Sequence, residues 1–128
     1  MTRILIVDDE LPVRETLAAI LREADGTYQV DSASNGEEAL ASAFAQRPDV
    51  VLLDVRMPGL HGLSVLKFIR GFDASIRVIM VTGYTTDGAF AEAMKAGAFA
   101  IIPKPFDGRY IQHLVAAALN SGPRPVKS

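Results

Sequence analysis

Val50-Val51-Leu52-Leu53 is an unbroken apolar run that stops at an acid, Asp54. A run this short, without polar alternation and rich in β-branched residues, predicts a strand covered on both faces, as in a parallel sheet. Pro58-Gly59 then turns the chain. Asp54 is thereby expected at the carboxyl end of a central strand, where open α/β sheets gather their ligands.

The rest of the chain repeats this scheme. Ile4-Leu5-Ile6-Val7 is a second apolar run, closed by Asp8-Asp9-Glu10. Pro12 suits the first turn of a helix, and Val13, Leu17, Ile20, Leu21 and Ala24 recur at helical spacing up to a stop near Gly26. Tyr28 to Ala33 alternates weakly, which predicts a strand nearer the sheet edge. Asn35 with Glu38 resembles a capping box for a helix that buries Ala39, Leu40, Ala43 and Phe44. Leu63, Leu66 and Ile69 mark a short helix ending at Gly71. Arg77 to Val81 predicts the next strand, closed by Thr82-Gly83. Thr85 or Thr86 can cap a helix carrying Phe90, Ala93 and Met94 and ending at Gly97. Phe99 to Ile102 is the last predicted strand, closed by Pro103-Lys104-Pro105. Asp107 is expected to cap a final helix with Ile111, Leu114, Val115, Ala118 and Leu119 on its buried side. Strand and helix alternate five times, which implies a doubly wound parallel sheet with helices on both faces.

A chain of 128 residues suits one domain. We expect the folded domain over 1–120 and a flexible tail or linker stub over 121–128, which carries no periodicity. The net charge of -2 offers no general affinity for nucleic acid or anionic lipid. With no cysteine, disulfides and thiolate-metal sites are excluded. No apolar run approaches membrane-spanning length, and the first strand begins too early for a signal peptide. A cytoplasmic location is the expectation.

Four apolar strands end in polar or charged groups: Asp8 and Asp9, Asp54, Thr82 and Lys104. In a parallel sheet these ends share one edge and converge on one crevice. Taken singly, each has an ordinary explanation, as a helix cap or a solvated charge. Together they create an electrostatic problem, because carboxylates about 4 Å apart repel by roughly 4 kcal/mol at an effective dielectric near 20. Lys104 offsets part of it. A divalent ion held by Asp8 and Asp9, with water, would offset the rest, in the way Mg²⁺ binds at phosphate sites. The Arg56 backbone carbonyl is a plausible further ligand. The set contains no histidine or thiolate, which argues against zinc or copper. Phosphoryl transfer asks for parts of this kind. Asp54 can act as the nucleophile, Thr82 can donate its hydroxyl to a phosphoryl oxygen, and Lys104 can pair with another.

Val7-Asp8-Asp9-Glu10, Leu53-Asp54-Val55-Arg56-Met57-Pro58-Gly59, Val81-Thr82-Gly83 and Lys104-Pro105-Phe106 stand in this order. As an ordered set they resemble the receiver domain of two-component response regulators, from about Arg3 to Leu119. The resemblance implies a flavodoxin-like fold with strand order 2-1-3-4-5 and five helices. It implies Mg²⁺-dependent transfer from the phosphohistidine of a histidine kinase or a histidine phosphotransfer protein to Asp54, with Asp54 also a metal ligand. Pro105 is expected in the cis form. The implied output is a shift of the surface formed by the fourth helix, fifth strand and fifth helix, through which a homodimer is also conceivable. No external substrate turnover is expected.

Four positions depart from or refine that pattern. Ile101 stands where many members carry a switching Tyr or Phe, so signalling is expected to rely on Thr82 and on repacking around Phe99 and the fourth helix. His61 stands where the family usually has Asp before Gly62, and reads as an exposed loop residue, the alternative being a pH-responsive loop or partner contact. Arg56 and Tyr84 occupy positions that set phosphoryl lifetime in this family, and their size predicts slow self-dephosphorylation. His113 reads as a surface or interface residue. Two other readings remain in view. A Mg²⁺-dependent aspartyl-phosphate hydrolase would place a second Asp where Arg56 stands. An interaction module without phosphorylation would have no need of Asp54, Lys104 or the acidic pair.

Overall fold

In the computed structural model, residues 1–56, 61–83 and 87–121 are described (for Asp87, the backbone alone). Strands and helices alternate as β1 (Arg3–Val7), α1 (Leu11–Ala24), β2 (Gln29–Ala33), α2 (Gly36–Ala45), β3 (Val50–Leu53), α3 (Gly62–Phe72), β4 (Arg77–Thr82), α4 (Asp87–Lys95), β5 (Ala100–Pro103) and α5 (Gly108–Ser121). The five strands form one parallel sheet in the order β2-β1-β3-β4-β5, with β3 at its centre and β2 at an edge, as expected.

The side-chain period of two sorts each strand between two cores. Ile4, Ile6, Val50, Leu52, Ile79, Val81 and Ile102 face α1 and α5 through Leu17, Leu21, Ile111, Val115 and Ala118. Leu5, Val7, Val51, Leu53, Val78 and Met80 face α2, α3 and α4 through Ala39, Ala43, Leu66, Ile69 and Ala93. β1, β3 and β4 are buried on both faces, which is why they read as unbroken apolar runs.

Several local expectations change. Asn35 Oδ1 accepts from Glu38 N at 2.8 Å, as a cap should, but the Glu38 carboxylate bonds Ser34 N and Oγ rather than closing the box on Asn35. Phe44 and Ala24 lie at the exposed ends of their helices instead of in the core. Phe44 meets Phe72 edge-to-face, with ring centroids 4.6 Å apart. Gly71 does not stop α3, which runs to Phe72 and is closed by Asp73. Phe90 and Met94 are exposed on α4, so Ala93 alone of the expected trio is buried. Phe99 precedes β5 and packs on the α1/α5 core, while α4 belongs to the opposite one. Phe99 and Ala93 of α4 therefore pack on opposite cores. The expected caps Thr85 and Thr86, the Pro58-Gly59 turn and most of the tail lie outside the described residues. No described helix is long and apolar enough to cross a membrane.

Candidate phosphoacceptor site

The site lies at the carboxyl edge of the sheet. Asp8 follows β1 and its N–H still donates to Ala33 O at 3.2 Å, while Asp54 N donates to Val7 O at 3.0 Å. Sheet pairing thus carries both acids past the strand ends and sets them side by side. Lys104 is held the same way, its N–H donating to Thr82 O at 2.9 Å, just before the cis Lys104-Pro105 bond. Pro105 is therefore cis, as the resemblance implied.

Lys104 Nζ donates to Asp8 Oδ2 at 2.8 Å and to Asp54 Oδ2 at 3.1 Å. Asp8, Asp54 and Thr82 are the buried polar residues of the molecule among those described. Asp9 is exposed, yet its carboxylate joins those of Asp8 and Asp54 in a group whose oxygens lie within 4.8 Å of one another. Asp54 Oδ1 accepts from Arg56 N at 3.2 Å, and Asp8 Oδ1 from Glu10 N at 2.9 Å. The strand-end residues Asp8, Asp9, Asp54, Thr82 and Lys104 are thus brought to one rim. Ile101 lies apart, opposite Met80 on β4 and packed against the core that contains Ala93. Tyr84 is outside the described residues.

Burial is the largest influence on Asp54 and pushes its carboxyl above the ordinary range, against the pull of the Lys104 and Arg56 hydrogen bonds. For Lys104, burial opposes the charge, but the bonds to Asp8 and Asp54 overcome it and raise the ammonium above its usual value. One ammonium is thus shared by two of the three carboxylates. The oxygen-only donor set suits a hard cation. Magnesium, held through a few carboxylates with water completing its shell, is such a cation.

Two residues contribute more than their sequence context suggested. His61 is the cap of α3, its Nδ1 accepting from Leu63 N at 3.2 Å. Gly62 N donates to Val55 O at 3.0 Å, and a Cβ at Gly62 would stand 2.2 Å from Asp54 O and 2.7 Å from Val55 Cα. The first turn of α3 thus lies directly on the backbone of Asp54, an approach open to glycine alone. An isolated glycine opening an apolar helix beside the site was the available signal.

A family profile described as the response regulator receiver domain matches residues 4–116. Sporulation initiation phosphotransferase F of Bacillus subtilis is 39% identical over 82% of this chain and 83% of its own length. The positive alginate biosynthesis regulatory protein of Pseudomonas aeruginosa is 42% identical over 95% of this chain, which spans only 47% of that relative. A solved CheY-like response regulator receiver domain protein from Methanospirillum hungatei superposes with a TM-score of 0.89 at 29% identity, covering 94% of this chain and 95% of that one. Fold, rim and relatives agree, and the chain belongs to the response regulator receiver domain family of two-component signalling.

Proposed function

We propose that Asp54 accepts a phosphoryl group from the phosphohistidine of a histidine kinase or histidine phosphotransfer protein. The observation that carries this reading is the Lys104 ammonium bridging Asp8 and Asp54 at a buried rim. An Asp54 carboxylate oxygen attacks phosphorus, the donor's N–P bond breaks, the imidazole nitrogen takes back the electron pair, and an acyl phosphate forms. Lys104 exchanges one of its carboxylate partners for a phosphoryl oxygen, and the Thr82 hydroxyl bonds another. Asp8, Asp9 and Asp54 would hold Mg²⁺, with the Arg56 backbone carbonyl as a further ligand. When bound, that ion supplies positive charge to the oxygens of the transferring group.

The output is a change of the α4, β5 and α5 surface that controls a partner, a second copy or an output domain, in the cytoplasm. Thr82 reports the phosphoryl group from the end of β4. Ile101 transmits on the same side of the sheet as α4 by aliphatic repacking, having no ring to rotate. Turnover of an external phosphoester is not part of this reading, since Arg56 occupies the position where a hydrolase of this chemistry needs its second acid. Incubation with acetyl phosphate, or with beryllofluoride as a mimic, tests the proposal. A mass increase of one phosphoryl group that needs Mg²⁺ and is absent in Asp54→Ala is the expected result. Labelling that persists in Asp54→Ala would overturn it.

A further inference from the structure

The carboxyl end of α4 is secured very differently from its described middle. Among its described side chains Ala93 alone is buried, a single methyl on the core, while Phe90 and Met94 are exposed. Its principal neighbour is β5. At its carboxyl end, by contrast, Ala98 N donates to Ala93 O at 3.0 Å and Gly97 N to Met94 O at 3.1 Å. With Gly97 at φ +104, these are the paired bonds of a Schellman cap, and the buried Ala98 and Ala93 are its apolar contact. Phe99 N then donates to Val78 O at 2.7 Å, joining the turn to β4.

Arg70, near the end of α3, closes over this turn. A Cβ on Gly97 would stand 2.6 Å from Arg70 Nε and 3.3 Å from its Cζ, so the guanidinium lies against the Gly97 Cα. Arg70 Nη1 donates to Ala74 O at 2.5 Å, which ties the same side chain to the α3–β4 connection. Gly97 is thus constrained twice, by its left-handed backbone and by the guanidinium packed on it.

We propose that α4 is hinged at its carboxyl end, with Arg70 as the pin that holds the Gly97 turn against the α3–β4 connection. Among the described residues of α4, Ala93 alone is part of the buried core, and a pinned carboxyl turn leaves movement to the turns before it. The phosphoryl group as the driver of that movement rests on the function proposed above. The pin itself is a property of the resting chain.

Amide hydrogen exchange on the full chain separates the two claims. In the resting protein, Arg70→Ala is expected to speed exchange at Gly97 and Ala98 about tenfold while leaving Val51 to Leu53 in β3 unchanged. Unchanged exchange at Gly97 and Ala98, or an equal acceleration throughout, would overturn the pin. As an independent check, Gly97→Ala should lower the melting temperature less in the Arg70→Ala background than alone, because only the backbone conflict then remains. Equal losses in both backgrounds count against the proposal. With Mg²⁺ and beryllofluoride, exchange should change in the first turns of α4 and stay constant at Gly97 and Ala98. A change greatest at Gly97 and Ala98 overturns the hinge. No change anywhere overturns the phosphorylation reading, while the resting-state comparison still decides the pin.

Discussion

Replacing Asp54 by Asn is expected to make the resting protein more stable. The Lys104 ammonium 3.1 Å from Asp54 Oδ2 is worth about 5 kcal/mol of attraction at an effective dielectric of 20. Carboxylate oxygens of Asp8 and Asp9 within 4.8 Å each repel by about 3.5 kcal/mol or more on the same scale. Desolvation of the buried carboxylate adds several kcal/mol of cost. Exposure of Asp9 screens its share, but the balance still opposes the charge, in agreement with the raised pKa of Asp54. Asn has the same size, and its Oδ1 can still accept from Lys104 Nζ, at the loss of the bond from Arg56 N. At neutral pH and low salt we expect Asp54→Asn to gain about 1–2 kcal/mol in urea unfolding. The sign with pH follows from linkage. A carboxyl whose folded pKa is raised imposes no cost below its unfolded value, about pH 4, and imposes it in full once the pH passes the raised folded value. The gap between variant and wild type should therefore open as pH rises from about 4. Excess Mg²⁺ should narrow it by stabilising the wild type through binding. An Asn variant that is less stable at neutral pH, or a gap that ignores pH, would refute the reasoning.

Gly62→Ala forces a Cβ onto the Asp54 carbonyl and should cost about 2–3 kcal/mol in urea unfolding, with slower labelling by acetyl phosphate. Gly71→Ala, where nothing lies within 4 Å of the added carbon, should gain about 0.5 kcal/mol in the same assay. Lys104→Met leaves the buried Asp8 and Asp54 without their cation and should cost about 3 kcal/mol by the same measure, part of it recovered by excess Mg²⁺. Thr82→Ala should keep acyl phosphate formation while uncoupling it from changes in α4 amide exchange, whereas Ile101→Tyr should leave that coupling in place; the reverse pattern would count against aliphatic switching. Arg56 and Tyr84 are expected to screen the phosphoryl group, so label on the isolated chain should decay over minutes or longer after the donor is removed, and loss within seconds would contradict this.

Much of the architecture was legible because burial leaves a periodic trace along the chain. Strands covered on both faces appear as Val50 to Leu53 does, the edge strand β2 is more polar, and helices show their buried stripe. The polar ends of β1, β3, β4 and β5 are equally local, and a parallel sheet has one carboxyl edge, so convergence of Asp8, Asp54, Thr82 and Lys104 followed from topology. What the pattern could not show is which atoms meet. Lys104 and Asp8 lie 96 positions apart, and no local spacing distinguishes an ammonium bridging two acids from one in solvent.

The same reason explains the surprises at His61, Gly62, Phe44 and Arg70. A histidine caps α3 because the backbone around it presents a free N–H, and Gly62 is required because the backbone of Asp54 and Val55, just past β3, passes within contact. Phe44 stays outside because α2 ends beyond the core, and Arg70 matters because a turn from another helix arrives beneath it. Order, element type and the chemistry of each strand end were decided by the sequence alone, since they depend on neighbours in the chain. Contacts, caps and forced glycines were decided by tertiary structure, since they depend on neighbours in space that only packing brings together.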